Sequence, residues 1–200
     1  MWNNLNKKLI LASASPRRAQ IMHMANLPFE VRPANIDESF PPDMPHAEVP
    51  VFLAKQKAQY LYTKLHPSNW IIAADTVVLL QNNILNKPAD AAEAKTMLSQ
   101  LSGRTHEVIT GVAIQQANGN LFSFSTSTQV SFWQLSETQI NYYIAQYQPF
   151  DKAGSYAIQE WIGAVGIKEI KGCYFNVMGL PVSRLVLELE ILGWFEPNKE

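Results

Sequence analysis

The chain has 200 residues, with 16 basic and 17 acidic side chains and a formal net charge of −1. A nucleic-acid coat or a polybasic membrane binder would need a basic excess, so we expect neither nucleic acid nor a membrane as a partner. Hydrophobic residues make up 47%, which excludes a disordered tail. The single cysteine, Cys173, permits no internal disulfide and no cysteine metal cluster. A cytoplasmic enzyme fits these features best, and the length suits one domain over residues 1–200.

The first half of the chain predicts alternating strands and helices, over residues 9–12, 16–25, 49–65 and 71–80. Residues 9–12 form an apolar stretch too short for a signal peptide, so we interpret it as a buried strand. Ser15 as the N-cap and Pro16 in the first turn indicate the helix that follows. The next helix is marked by apolar residues at helical spacing, at Ala54, Ala58, Leu61 and Leu65. Residues 71–80 are typical of a central strand, after which Asn82-Asn83 turns the chain back.

Turn and capping patterns organise the second half of the chain. Asp90 and Glu93 form a capping-box pattern at the start of a helix. Its buried stripe is predicted at Ala91, Ala94, Leu98 and Leu101. Asn118-Gly119 predicts one β-hairpin, and Lys171-Gly172 predicts a second. Both hairpins require antiparallel strand pairs within the sheet.

Two more helices complete the predicted set. Ser136 and Gln139 open the first of them, and the last helix carries an apolar stripe at Val182, Leu185, Leu189 and Leu192. Helices and strands therefore alternate along the chain, while the hairpins add antiparallel pairs. We predict an α/β fold with a mixed, twisted sheet flanked by helices.

Residues 13–18, Ser-Ala-Ser-Pro-Arg-Arg, lie where the first strand passes into the first helix. The free N–H groups and the dipole at a helix N-terminus favour an anion, and strand ends in α/β sheets are favoured ligand sites. The guanidinium groups of Arg17 and Arg18 match phosphate oxygens in geometry, and the hydroxyls of Ser13 and Ser15 converge on the same place. The alternative is a capped helix with solvated arginines.

Two acidic positions in the sequence are candidates for catalysis or for binding a divalent cation. Asp75 interrupts an apolar strand, where a carboxylate must be paired, bound to metal or shifted in pKa. It is a plausible base or Mg²⁺ ligand, and the alternative is an aspartate satisfied by backbone donors. Asp37 and Glu38 form an adjacent acidic pair of the kind that hard divalent cations bind, although a solvated loop is the commoner explanation.

The remaining candidates are weaker when each is taken alone. Lys57 lies on the second helix and Lys87 in a loop, where lysines are usually solvated. Gly154 lets the backbone approach a ligand closely, and Gln159 offers both a donor and an acceptor for a base edge. Neither standard glycine-rich nucleotide cradle is present in the sequence. The residues by themselves therefore indicate a protein with a phosphate ligand.

Eight short motifs follow one another along the chain. They are Leu-Ala-Ser-Ala-Ser-Pro-Arg-Arg at 11–18, Ile-Asp-Glu at 36–38, Leu-Ala-Lys-Gln-Lys-Ala at 53–58, Ala-Asp-Thr-Val-Val at 74–78, Asn-Lys-Pro at 86–88, Leu-Ser-Gly-Arg-Thr-His at 101–106, Asp-Lys-Ala-Gly at 151–154 and Val-Met-Gly-Leu-Pro at 177–181. In this order the chain resembles the Maf family of nucleoside triphosphate pyrophosphatases. The resemblance spans residues 9–184.

The resemblance implies a compact α/β fold of two lobes with a substrate cleft, similar to the inosine triphosphatase architecture. It also implies hydrolysis between the α- and β-phosphates, giving a nucleoside monophosphate and pyrophosphate. Asp75 matches the proton acceptor, and Glu38 and Asp75 would hold a divalent cation, Mg²⁺ or Mn²⁺. The substrate would be bound by Ser13, Ser15, Arg17, Arg18, Lys57, Thr76, Lys87, Lys152 and Gln159.

Three of these positions distinguish branches of the family. Arg17, Thr76 and Gln159 match the branch that acts on dTTP and UTP, whose role is house-cleaning of the nucleotide pool. Four positions depart from the usual pattern of that branch, at Asn86, Ser155, Ala157 and Glu160. Two alternatives stay open, a 7-methyl-GTP pyrophosphatase and a nucleotide-sensing regulator of septum formation. A homodimer is one assembly that this interpretation allows.

Overall fold

The computed structural model describes residues 7–195, so the first six and last five residues of the predicted 1–200 domain lie outside the described residues. The strands are Leu9–Leu11 (β1), Phe29–Val31 (β2), Ile71–Leu80 (β3), Asn83–Leu85 (β4), Thr105–Gln115 (β5), Leu121–Phe132 (β6) and Ile167–Lys171 (β7). The α-helices are Pro16–Met24 (α1), Val49–Leu65 (α2), Ala91–Leu101 (α3), Glu137–Tyr147 (α4), Trp161–Gly166 (α5), Tyr174–Val177 (α6) and Val182–Ile191 (α7). All the predicted helices are therefore present, and so are the predicted strands except the one that the hairpin at Lys171-Gly172 would require after residue 172.

The strands form one mixed sheet with the order β2-β1-β3-β5-β6-β7, and β4 also pairs with β3. β1 lies parallel to both β2 and β3, whereas the pairs between β3 and β5, β5 and β6, and β6 and β7 are antiparallel. Helix α2 covers one face, where Ala54, Ala58 and Leu61 pack on β1 and β3. The larger core joins the opposite face to α1, α3, α4 and α7. This confirms the predicted α/β fold with a mixed sheet flanked by helices.

The central strand β3 has an interrupted edge. On one side it pairs with β5 from Ile71 to Leu79. On its other side, β1 pairs only with Ile71 and Ile72, and β4 pairs only from Val78 onwards. Within the described residues, positions 73–77 thus have no strand neighbour on that edge. The gap places Asp75 and Thr76 beside the carboxyl end of β1, which is where α/β sheets favour ligands.

Three local predictions need correction. Lys171-Gly172 is not a hairpin, because β7 is followed by α6, and the Thr128 hydroxyl holds the intervening Cys173 through its N–H and C=O. The turn predicted at Asn82-Asn83 lies one residue earlier, with Asn82 at φ +67° and Asn83 already in β4. Leu65 and Ala91 are exposed, because each lies in a terminal turn of its helix beyond the reach of the sheet.

The capping predictions differ in detail. Ser136 and Gln139 form the complete reciprocal capping box at α4. At α3, Asp90 accepts the N–H of Glu93, but the Glu93 carboxylate accepts the N–H of Ala89 rather than that of Asp90. Ser15 occupies the N-cap of α1, yet its side chain makes no capping hydrogen bond. The Ser15 hydroxyl is therefore not used to cap the N-terminus of α1.

No helix among residues 7–195 combines the length and apolar character needed to cross a membrane.

His106 is a buried titratable residue on β5. Its Nε2 lies 2.7 Å from the Tyr156 hydroxyl, and its Nδ1 has no hydrogen-bond partner among the described residues. Burial lowers the pKa of the imidazole from 6.5 to about 4, because the charged form is poorly solvated in the core. The folded protein therefore keeps His106 neutral at a pH where the unfolded chain already binds a proton.

The free energy of unfolding should fall as the pH drops below 6.5 towards 4. The stability that the protein gains by keeping His106 neutral is present in full above the pKa of the unfolded chain, 6.5. It is lost as the pH falls from there through the pKa of the folded protein, about 4. Linkage predicts a loss of about 2 kcal/mol between pH 7 and pH 5 from this group. Urea unfolding at both pH values measures the loss. His106→Gln should show a smaller acid loss, and equal losses in the two proteins would contradict the assignment.

Candidate active site

A cleft of about 990 Å³ opens at the interrupted edge of β3. The turn between β1 and α1, the loop after β4 and residues between 151 and 159 contribute to its lining. Five cationic and three acidic side chains line it, namely Arg17, Arg18, Lys57, Lys87 and Lys152 with Glu38, Asp75 and Asp151. The cleft thus carries a basic excess although the chain has a net charge of −1. Its size and charge suit a polyanionic ligand.

All eleven residues predicted for the site line this one cleft. They are Ser13, Ser15, Arg17, Arg18, Glu38, Lys57, Asp75, Thr76, Lys87, Lys152 and Gln159. The fold brings them together from the β1–α1 turn, the loop before α2, α2 itself, β3, the loop after β4 and the segment after α4. Their individual roles stay predictions, while their contacts indicate what each side chain can do.

Ser13 organises the turn between β1 and α1. Its Oγ accepts the N–H of Ser15 at 3.2 Å and the Nη1–H of Arg18 at 3.2 Å. The Ser13 side chain is buried, whereas Ser15 is half-buried and faces the cleft. Pro16 at the first helical position has no N–H of its own, and the N–H groups of the first turn of a helix favour an anion.

The guanidinium of Arg18 is held from three directions. Its Nε donates to the carbonyl of Gly179 at 2.8 Å, and its Nη2 donates to the hydroxyl of Thr76 at 3.0 Å. The third bond runs from Nη1 to Ser13. Burial lowers the pKa of Arg18, and the negative charge of Asp75 opposes this shift. Arginine has five N–H donors, so one on Nη1 and one on Nη2 stay available for a ligand.

Arg17 and Lys152 meet at Asp151 on the rim of the cleft. Arg17 Nη1 lies 2.9 Å from Asp151 Oδ2, and Lys152 Nζ lies 2.7 Å from Oδ1. Partial burial by itself would raise the pKa of the Asp151 carboxyl, but the hydrogen bonds and charges of Lys152 and Arg17 hold it below its usual range. The Asp151 side chain is 61% exposed, so these ion pairs are weak enough to exchange for phosphate.

Glu160, one of the departures from the family pattern, belongs to the same rim. It accepts a short hydrogen bond from the Tyr143 hydroxyl and lies 3.5 Å from Lys152 Nζ. Tyr143 in turn accepts the N–H of Ala157 at 3.1 Å. Burial, followed by the hydrogen bond to Glu160, raises the pKa of Tyr143 well above its usual value. Glu160 therefore anchors the segment that carries Gln159.

Lys57 lies between two carboxylates at the base of the cleft. Its Nζ is 2.6 Å from Asp75 Oδ1 and 2.7 Å from Glu38 Oε1. Both Lys57 and Asp75 are buried, and α2 and β3 supply them from facing elements. Partial burial would raise the pKa of Glu38, but the hydrogen bond and charge of Lys57, with the charges of Lys87 and Arg18, lower it below its usual range. The two carboxylates are thus already held within reach of one cation.

Lys87 and Gln159 are exposed at the mouth of the cleft. Neither side chain makes a hydrogen bond or ion pair within the part of the chain that the structure describes. Both are therefore free to contact a ligand. Thr76 differs, because its hydroxyl lies between Arg18 and Thr110, 2.9 Å from the latter.

The sequence analysis missed three residues with a clear place in the site. Asp151 stands in a quoted motif, but its pairing with Arg17 depends on a contact 134 positions away. Thr110 and Asn176 are fully buried behind Thr76. The only available signal was a hydroxyl residue inside the apolar run that forms β5, and this pattern by itself does not distinguish a site residue from a satisfied core threonine.

Comparison with known proteins identifies the family of this chain. A family model described as "Maf-like protein" matches residues 8–192. The chain belongs to this family. The resemblance to the Maf family found in the sequence is therefore confirmed. The Maf-like match contains every predicted site residue, from Ser13 to Gln159.

Relatives of high similarity share one name. A protein from Cytophaga hutchinsonii named "dTTP/UTP pyrophosphatase" is 49% identical over 98% of this chain and 88% of its own length. One of the same name from Halalkalibacterium halodurans is 50% identical over 94% of this chain and 97% of its own length.

A solved structure of a HAM1 protein from Coxiella burnetii is 17% identical and has a TM-score of 0.44, covering 63% of this chain and 73% of that one.

Proposed function

We propose that this Maf-like protein hydrolyses dTTP, UTP and modified pyrimidine nucleotides to the nucleoside monophosphate and pyrophosphate. The observation that carries the proposal is the arrangement of Glu38, Lys57 and Asp75 in a basic cleft that also contains the guanidinium of Arg18, held by Ser13, Thr76 and Gly179. The names of the relatives from Cytophaga hutchinsonii and Halalkalibacterium halodurans support the same substrates. The activity would clear unwanted nucleotides from the cytoplasmic pool.

The charge of the cleft suits a nucleoside triphosphate. Such a substrate carries about four negative charges, which must be offset before a nucleophile can approach. Arg18 offers two N–H groups from a fixed position, and Lys87 has no hydrogen-bond or ion-pair partner within the described residues. Arg17 and Lys152 would exchange Asp151 for phosphate oxygens. Together these groups would bind the phosphates and stabilise the leaving pyrophosphate.

Glu38 and Asp75 are the proposed ligands of a Mg²⁺ or Mn²⁺ ion. Within residues 7–195, no group of three or more His, Cys, Asp or Glu side chains forms a metal site. Two carboxylates nevertheless fit Mg²⁺, which usually binds one or two carboxylates together with substrate phosphates and water. When bound, the ion would offset phosphate charge and polarise a phosphoryl oxygen. The 2.6 and 2.7 Å contacts of Lys57 show that the carboxylates already converge on one positive charge.

Asp75 is the proposed general base. Its carboxylate would accept a proton from a water molecule as that water attacks the α-phosphorus, and the bond to the β-phosphate oxygen would break in line. Pyrophosphate leaves as the anion, stabilised by the surrounding arginine and lysine side chains. The position of Asp75 at the open edge of β3 gives both water and substrate access to its carboxylate.

Gln159 is the proposed reader of the base. Its amide lies on the exposed rim, and Glu160 and Tyr143 hold the adjacent backbone. Uracil and thymine present carbonyl acceptors and one N–H donor, and the amide of Gln159 can form hydrogen bonds with both kinds of group. Cytosine has an amine in place of one carbonyl, so part of this hydrogen-bond pattern is mismatched. A mispaired polar group costs about 1–3 kcal/mol. UTP should therefore exceed CTP by roughly 5- to 150-fold in kcat/KM.

Hydrolysis of a nucleotide panel in ¹⁸O-labelled water tests the proposal. With UTP or dTTP and Mg²⁺, ³¹P NMR should show monophosphate and pyrophosphate, with the label in the monophosphate because attack falls on the α-phosphorus. Excess EDTA should stop the reaction. Diphosphate with orthophosphate would place the attack at the γ-phosphorus and overturn the mechanism. Preference for 7-methyl-GTP would overturn the pyrimidine assignment, and binding without turnover would favour the regulatory alternative.

A further inference from the structure

A closed ring of hydrogen bonds connects Arg18 to the interior of the sheet. Arg18 Nη2 donates to Thr76 Oγ1 at 3.0 Å, and the Thr76 and Thr110 hydroxyls are 2.9 Å apart. Thr110 Oγ1 donates to the carbonyl of Asn176 at 3.0 Å. The same carbonyl accepts the N–H of Gly179 at 2.9 Å, and the carbonyl of Gly179 accepts Arg18 Nε at 2.8 Å. The ring thus begins at Nη2 and closes at Nε of the same Arg18 guanidinium.

The proton directions in this ring depend on the chemistry of its members. A guanidinium only donates, and each threonine hydroxyl has a single proton. Thr110 donates that proton to Asn176, so it must accept from Thr76. Thr76 therefore points its proton away from Arg18 and its lone pairs towards it. One arrangement of protons satisfies every bond in the ring.

The far side of the ring is buried and hydrogen-bonded to two strands. Thr110 and Asn176 are both 0% exposed. The Asn176 side chain donates Nδ2–H bonds to the carbonyl of Val108 at 2.9 Å and to Thr128 Oγ1 at 3.0 Å. The Asn176 residue is thereby fastened to both β5 and β6. In a core that excludes water, these hydrogen bonds are stronger and more specific in direction than they would be at the surface.

We propose that Thr110 and Asn176 are positioning residues that orient Arg18 for the phosphates. They act through Thr76 and through the backbone of Gly179, and so hold the two free N–H groups of Arg18 in a fixed orientation. The inference rests on the proposed function, since Arg18 is assigned there to the triphosphate. It gives Thr76 a role in aligning Arg18 rather than in reading the base.

Thr110→Val tests the ring, because valine keeps the shape of threonine and removes the hydroxyl. Thr76 then loses its acceptor, and kcat/KM for UTP should fall about 10- to 100-fold, as expected for a misplaced substrate-binding group. Thr110→Ser should restore most of the activity. Thr126→Val is the matched control, since Thr126 pairs with Thr110 across β5 and β6 and makes no side-chain hydrogen bond among the described residues. It should retain full activity, and an equal loss in both valine variants would overturn the proposal.

A double-mutant cycle separates positioning from packing. In an Arg18→Lys background the Nη2 donor is absent, so Thr110→Val should cause little further loss of activity. Independent, multiplying losses would show that Thr110 acts through the general packing of the sheet, and would overturn the proposal.

The exchange of the Arg18 Nε–H with solvent gives a readout that does not depend on activity. With ¹⁵N-labelled arginine, the Arg18 signal is assigned by its disappearance in Arg18→Lys. Its exchange should be slow in the wild type and in Thr126→Val, and faster in Thr110→Val. Unchanged exchange in Thr110→Val would overturn the ring even if the enzyme is active. Absence of turnover in the wild type with this exchange pattern intact would overturn the proposed function but support the ring.

Discussion

Asp75→Asn should lower kcat for UTP hydrolysis about 10²- to 10⁴-fold if Asp75 is the general base. Asparagine keeps the shape of the side chain and loses the basic oxygen, so water near the α-phosphorus would have no proton acceptor. The variant should fold, because Lys57 keeps its 2.7 Å contact with Glu38 after the 2.6 Å contact with Asp75 is weakened. The loss would be greater if Asp75 also binds the divalent cation.

The measurement is steady-state release of pyrophosphate, with circular dichroism and thermal unfolding to check the fold. Asp43→Asn is the control, since it makes the same chemical change at an exposed turn outside the cleft. It should have wild-type activity. Near-normal turnover in Asp75→Asn would reject Asp75 as the base.

Lys57→Met should be the most destabilising single change in the site. It leaves the buried carboxylate of Asp75 without its partner, and breaking a buried ion pair typically costs about 3–5 kcal/mol of the free energy of unfolding. Glu38 and Asp75 would then repel each other at short range. Turnover should also fall, by about 10²- to 10³-fold, as expected when a preorganised positive charge is removed from a phosphoryl-transfer site.

Thermal unfolding measured with and without Mg²⁺ also tests the proposed cation site. A divalent cation bound by Glu38 and Asp75 would neutralise the two carboxylates that the variant leaves unpaired, so Mg²⁺ should raise the thermal unfolding temperature of Lys57→Met more than that of the wild type. Lys55→Met is the control, because Lys55 is exposed on the same helix. Equal destabilisation of the two variants would mean that the contacts of Lys57 contribute nothing beyond helix packing.

Elements with local signals were predicted well. Pro16 and the Ser136–Gln139 capping box mark the starts of α1 and α4, and Asn118-Gly119 marks the turn between β5 and β6. Each signal works within a few residues, through a fixed φ, a cap or a turn of the required type. Lys171-Gly172 failed because a glycine after a strand permits a turn but does not specify whether a strand or a helix comes next. Here the Thr128 hydroxyl binds the N–H and C=O of Cys173, 45 positions along the chain, immediately before α6 begins.

The sequence by itself determined which charged and polar side chains are available to the candidate site. Its ordered motifs carry the arginines, lysines and carboxylates, and the eleven residues predicted to bind substrate or metal line one cleft. Only the tertiary structure decided how these groups pair. Lys57 and Asp75 are 18 positions apart, Thr110 and Asn176 are 66 apart, and Arg18 and Gly179 are 161 apart. Hydrogen bonds are directional and short, so their partners depend on strand register and helix packing, which no local pattern contains. The open edge of β3 likewise exists because β1 and β4 both stop short of residues 73–77, and this is a property of the assembled sheet.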